Sequence, residues 1–197
     1  LLDKNHVPHK ELFNAFNFLY GNEIIRNLEK LDSDSNNKEL FINDSIIINA
    51  LKKIIFQNPE LEKILTKARK NLCERIIENT DKINYSELKF IIALGEQCFF
   101  NEYVYSITEE ETLSLKIIIN RCKDVELKEI NLSLLSCYFP LYKLLDQIPS
   151  LKSISPSHQS FKELIELQII EPLQEIKLSR NIKKIGSIND DVSQKVK

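Results

Sequence analysis

The sequence has no methionine, no tryptophan and only three glycines, Gly21, Gly95 and Gly186. Those glycines lie too far apart to share a turn, so neither a G-x-G-x-x-G dinucleotide turn nor a P-loop can be built from them. The four cysteines, Cys73, Cys98, Cys122 and Cys137, never occur as C-x-x-C and sit inside apolar helical patterns. That placement suits reduced core thiols better than a zinc site or a disulfide framework. No stretch reads as a signal peptide or a membrane span, so no membrane partner is expected and the cytoplasm is the expected compartment. Net charge is -2 with acids and bases interleaved. There is thus no basic stripe of the kind that phosphate neutralisation requires, and nucleic acid is not an expected partner. With no methionine at Leu1, the chain is expected to be an internal piece of a longer protein.

What is present is helical. Hydrophobic residues make up 43% of the chain, enough for one globular domain with a substantial core. The run Leu88 to Tyr105, LKFIIALGEQCFFNEYVY, is the least interrupted apolar stretch. At about 100° per residue its apolar side chains cover both sides of a helix, which predicts a central helix buried on both sides. Asn84 or Ser86 should start it, and it should finish near Tyr105, because Thr108 with Glu111 forms a capping box that opens a new helix.

The rest of the chain keeps the same period. Pro8 at a first helical position and Gly21 beyond bound a short amphipathic helix, and Asn22 to Leu31 reads as a second, weaker one. DSDSNNK, from Asp32 to Lys38, is a polar loop. Asp44 or Ser45 should cap a helix carrying Ile47, Ile48 and Leu51. Asn58 and Pro59 should begin a long helix with Leu61, Leu65, Leu72 and Ile76 on its buried face, leaving Lys63, Lys67, Arg69, Lys70 and Arg75 on a solvated one. Val125 to Leu145 reads as a further apolar pattern broken or kinked at Pro140. Ser155 and Pro156 introduce a last helix through Phe161, Leu164 and Ile169, which Pro172 bends or restarts, and Gly186 ends that run. The expected fold is all-α, an irregular domain of about seven or eight helices without a sheet. Its expected organisation is an N-terminal helical appendage over residues 1–38, a helical domain over 39–185 and a linker over 186–197.

No catalytic, metal or cofactor site emerges from the residues themselves. The three histidines, His6, His9 and His158, lie at the two ends of the chain, so no Ser or Cys nucleophile has one placed to activate it. His6 and His9 lack a third ligand. The polar residue most out of place is Glu102, which falls within the apolar arc beside Gly95, Cys98 and Phe99. It has two readings: Gln97, Asn101 and Glu102 form a polar anchor for a neighbouring element, another domain or a partner, or Glu102 lies near enough to the helix end to reach water. The second is favoured, because long side chains near helix ends usually reach solvent.

At this helix the sequence resembles a bacterial family. Gln97-Cys98-Phe99-Phe100-Asn101-Glu102-Tyr103-Val104-Tyr105, followed by Thr108 to Glu111, matches a Q-C-F-I-N-E-Y-V-F stretch and T-x-x-E. A second match lies at Glu171-Pro172-Leu173-Gln174-Glu175 and at Ile188 to Lys197, which look like E-P-x-x-E and I-x-D-x-V-S-x-x-V-R. The family is that of S-adenosylmethionine-dependent methyltransferases whose catalytic domain is preceded by tetratricopeptide (TPR) repeats and a helical segment. The match covers roughly Glu39 to Lys197, with Phe100 in place of Ile and Lys197 in place of Arg. The resemblance implies a non-catalytic helical segment that links the TPR region to the catalytic domain, or helps to present a protein substrate. S-adenosylmethionine is then implied for the missing domain and none for this chain, because none of the positions that hold it is present. A stand-alone helical scaffold or protein-binding module is the alternative.

Overall fold

A computed structural model describes residues 8–21, 42–79, 83–124 and 127–181. Among them every regular element is helical and no strand occurs, which establishes the all-α class. The expected helix at Asn22 to Leu31, the boundary near residue 38 and the linker from residue 186 lie outside the described residues, as do His6 and Gly186.

Helix α1 spans His9–Phe16 and runs into a π-helical turn, Asn17–Gly21; Pro8 stands one residue ahead of it, at the N-cap. Phe13 and Phe16 are buried, and Phe16 stacks on Phe56 with ring centroids 5.2 Å apart. Helix α2, Ser45–Lys53, is capped by Asp44, whose carboxylate accepts from the Ile46 and Ile47 amides. Asn58 does the same for α3, Pro59–Glu78, accepting from Glu60 and Leu61 with Pro59 in the first turn. Each of these caps satisfies amides that a helix start leaves without an intrahelical partner.

Helix α4, Tyr85–Phe100, is the centre of the domain. Asn84 and Glu87 form a reciprocal capping box at its start, and Glu87 also pairs with Arg75 of α3. From Phe90 to Cys98 every residue of α4 is buried, so the helix is covered on all sides, as its two-sided apolar pattern predicts. Next in the chain, α5, Glu109–Asp124, lies against α3 and against α6, Glu129–Leu135; packed on α4 are α2, α6 and α7, Gln159–Ile165. Helix α7 continues through a π-helical stretch, Glu166–Ile170, into α8, Glu171–Asn181.

One expectation about the central helix is corrected. The central helix ends at Phe100, not near Tyr105, because the chain turns sharply at Glu102 and Tyr103. Of the two outcomes expected for the pattern from Val125 to Leu145, a break or a kink at Pro140, the structure takes the break. The α-helix stops at Leu135, and Pro140 leads into a short 3₁₀ helix, Leu141–Leu144, followed by a second at Pro149–Ser153. Proline disfavours helical backbone at the residue before it and supplies no amide of its own.

Close packing of α4 on α6 depends on one residue type. A Cβ added at Gly95 would stand 2.0 Å from Ser136 Oγ and 3.1 Å from Ser136 Cβ. Above this contact Gln168, fully buried, donates to the carbonyls of Gly95 at 2.9 Å and Ser136 at 3.3 Å and accepts from the Leu141 amide at 3.3 Å. One side-chain amide thereby satisfies backbone groups from three segments.

Candidate interdomain contact at the corner between α4 and α5

The residues singled out in the sequence converge on the corner joining α4 to α5, but their roles differ. Gln97 is fully buried. Its amide satisfies its surroundings with Nε2 donating to Ile54 O at 2.6 Å and Leu51 O at 3.0 Å, while Oε1 accepts from Phe56 N at 3.1 Å; the orientation is assigned from this network. Gln97 thus caps the C-terminal carbonyls of α2 and fixes the extended chain after it, an anchor internal to the domain.

Asn101 is half-buried at the C-cap of α4, and its side-chain oxygen accepts from the Tyr103 amide at 3.1 Å. The Tyr103 amide also reaches Cys98 O at 2.9 Å, and the Glu102 amide reaches Phe99 O at 3.2 Å. These two bonds are those of a Schellman motif, in which the residue after the cap adopts left-handed backbone and is usually glycine. Here it is Glu102, with φ 58°, followed by Tyr103 with φ 61°. The turn takes Glu102 off the apolar arc and into solvent, the outcome favoured from its place near the helix end. Val104 beside it is 65% exposed and Ile107 44%.

Left-handed backbone costs a residue with a Cβ about 1–2 kcal/mol. Glu102→Gly is therefore expected to raise stability by about 1 kcal/mol, seen as a higher denaturant midpoint at unchanged slope. A lower midpoint would mean that the carboxylate contributes more than the strain costs.

Beneath the corner lies a buried ionic knot where the sequence pattern predicts a solvated face. Arg69 of α3 is 1% exposed. Its Nη2 donates to Ser106 O, lies 3.4 Å from Glu111 Oε1, and its guanidinium carbon sits 4.2 Å from the centroid of the Tyr138 ring. Tyr138 OH donates to the same Glu111 oxygen at 2.7 Å. The second Glu111 oxygen accepts from Thr108 N at 2.8 Å, and Glu111 N donates to Thr108 Oγ1 at 3.2 Å, completing the predicted capping box. Burial works to raise the Glu111 pKa, but the Thr108 amide, the Tyr138 hydroxyl and the Arg69 charge outweigh it, and the carboxyl is held below its ordinary value.

One cluster outside the corner carries catalytic residue types. Ser157 Oγ donates to Glu129 Oε1 at 2.9 Å, and the His158 Nδ1 faces both the other Glu129 oxygen and Ser157 Oγ, the latter at 3.2 Å. Activation of a serine needs the hydroxyl and the carboxylate on opposite ring nitrogens. Here both meet the same nitrogen, so the cluster fixes the start of α7 and relays no proton to a nucleophile. An open groove of about 210 Å³ lined by Asn43, Ser45, Ile48, Asn49, Ser86 and Lys89 brings no acid–base pair together. No group of side chains suited to a metal ion occurs among the described residues, and none of their helices is long and apolar enough to cross a membrane.

Fold and site together define an all-α domain whose motif residues build a strained, solvent-facing corner over an ionic knot. No family model matches the chain, and comparison with curated proteins and with solved structures gives no match either.

Proposed function

We propose that this chain is the non-catalytic helical segment of an S-adenosylmethionine-dependent methyltransferase, joining a TPR region to a catalytic domain that acts on a protein. The observation that carries the reading is the run Gln97 to Tyr105 with Thr108 to Glu111: the residues that resemble the family are those that build the corner between α4 and α5. A left-handed turn without glycine carries backbone strain, and strain of this kind gathers at contact and functional sites. Asn101 shapes the turn, Glu102 and Val104 are the side chains it offers to another domain, and Gln97 supports it from within. The second family-like stretch, Glu171 to Glu175, opens α8, where Leu173 and Leu178 are 41% and 65% exposed. A helix leading toward a further domain would cover such residues. S-adenosylmethionine belongs to that further domain in this reading, and no residue of this chain is assigned to it.

The test is to read the coding DNA beyond Lys197. A Tyr-Glu-Glu-Asn-Pro-Tyr segment followed by a strand and a glycine-rich turn is the expected result. A stop codon directly after Lys197 would overturn the methyltransferase reading in favour of a cytoplasmic scaffold or protein-binding module. A specific feature favours that second reading: Leu113 and Ile117, one turn apart on α5, are 61% and 48% exposed, an apolar strip suited to another protein.

A further inference from the structure

Where α2, α4 and α7 meet, two carboxylates share one ammonium. Glu96 of α4 is 5% exposed, and its Oε1 has no hydrogen-bond partner. That oxygen lies 3.5 Å from Lys52 Nζ of α2, while the same ammonium sits 2.6 Å from Glu163 Oε2 of α7. Glu163 is half-exposed, with its other oxygen accepting from Gln159 Nε2 at 3.2 Å. The nearer, better-hydrated carboxylate therefore holds the cation, and the buried one is left with a weak claim on it.

Among the described residues the surrounding charges are few. From α2, Lys52 and Lys53 act on Glu96, and from α7, Glu163. The residue just past α6 and the π-helical stretch contribute Ser136 and Gln168 beside the neighbouring Gly95, neither of which titrates. Helix α3 meets α4 at its other end, through Arg75 and Glu87.

We propose that Lys52, Glu96 and Glu163 form a proton-operated latch between three helices. When Glu96 binds a proton, the Lys52 ammonium belongs to Glu163 alone and clamps α2 to α7. When Glu96 loses it, the ammonium is divided between the two carboxylates and drawn toward α4.

The electrostatics agree with this geometry. Burial, reinforced by Glu163 and opposed by Lys52, pushes the Glu96 carboxyl up to about 7. The hydrogen bond from Lys52 holds Glu163 below its ordinary value. Burial works to lower the Lys52 pKa, yet the two carboxylates raise it overall. A carboxyl whose folded pKa is raised from 4.5 to about 7 gives its stabilisation in full below the lower value and loses it as pH rises through the upper one.

The experiment is a carbon-13 NMR titration of the glutamate carboxyls in the full chain, comparing wild type, Glu163→Gln and Lys52→Met. In wild type Glu96 is expected to titrate near neutrality. Glu163→Gln should lower its midpoint by about one pH unit by releasing the ammonium, and Lys52→Met should raise it by about as much. Melting curves should agree: wild type should lose stability relative to Glu96→Gln as pH rises from below the Glu96 midpoint to above it. A Glu96 midpoint in the ordinary carboxylate range, or one unmoved by Glu163→Gln, would overturn the latch. Because Glu163 is half-exposed, that variant keeps the test decisive even if Lys52→Met fails to fold.

Discussion

Replacing Arg69 with methionine is expected to destabilise the domain by about 3–5 kcal/mol, because it leaves the Glu111 carboxylate ionised and buried without its counter-charge. A domain of ordinary stability, about 5–15 kcal/mol, would lose a large part of it. The measurement is the denaturant midpoint. The knot also predicts a non-additive rescue: Arg69→Met combined with Glu111→Gln removes both charges and should cost much less than the two single changes summed. Additive costs would show that Arg69 contributes through packing on Tyr138 alone. The pH dependence has a definite sign. Glu111 titrates below its ordinary value when folded, so its contribution is present above the ordinary carboxylate pKa and is lost as pH falls through the depressed one. Glu111→Gln should therefore flatten the acid side of the stability curve, the side opposite to the one that Glu96 governs.

Gly95→Val is expected to cost about 3 kcal/mol or more. Helix propensity alone would favour a side chain over glycine, since glycine in a helix interior costs about 1 kcal/mol relative to alanine. The crossing decides otherwise. Ser136 Oγ, which donates to Ser133 O at 2.6 Å, could swing aside, but Ser136 Cβ at 3.1 Å cannot. Helices α4 and α6 would have to separate, which would also pull Gln168 from the Gly95 and Ser136 carbonyls. Thermal melting of Gly95→Val, and of Gly95→Ala with Ser136→Gly, checks this. The double variant should recover most of what Gly95→Ala alone loses, and no recovery would place the strain elsewhere.

What could be read in the sequence was local. Asp44, Asn58, Asn84 with Glu87, and Thr108 with Glu111 cap their helices within three residues of chain, and the two-sided apolar pattern of α4 comes from spacing alone. The burial of Arg69 could not be read this way. Its carboxylate partner is 42 residues away, and a basic residue at the edge of an apolar stripe looks the same whether it meets water or a distant acid. Gln168 was hidden for the same reason, since its partners are backbone groups of segments brought close only by the fold; Gln97 was singled out as a possible anchor, but the element it holds could not be named from the sequence. The corner at Glu102 and Tyr103 carried no signal because left-handed turns are recognised by glycine, and this one has none. The exposure of Leu113 and Ile117 was equally unreadable, for an apolar residue on a helix does not say which of two faces another element will cover.

The π-helical stretch at Glu166–Ile170 governs how α8 is presented. In an uninterrupted α-helix the Pro172 ring would crowd the carbonyl of Gln168 and offer it no hydrogen; the wider turn just before it relieves that conflict. The extra residue also works as a phase shifter, turning every α8 side chain by roughly 100° about the axis relative to α7. The direction in which Leu173 and Leu178 face is thus set upstream of α8 itself. Removing one residue between Glu166 and Ile170 would leave a helix of almost the same length and composition, aimed about a quarter-turn away from whatever it meets.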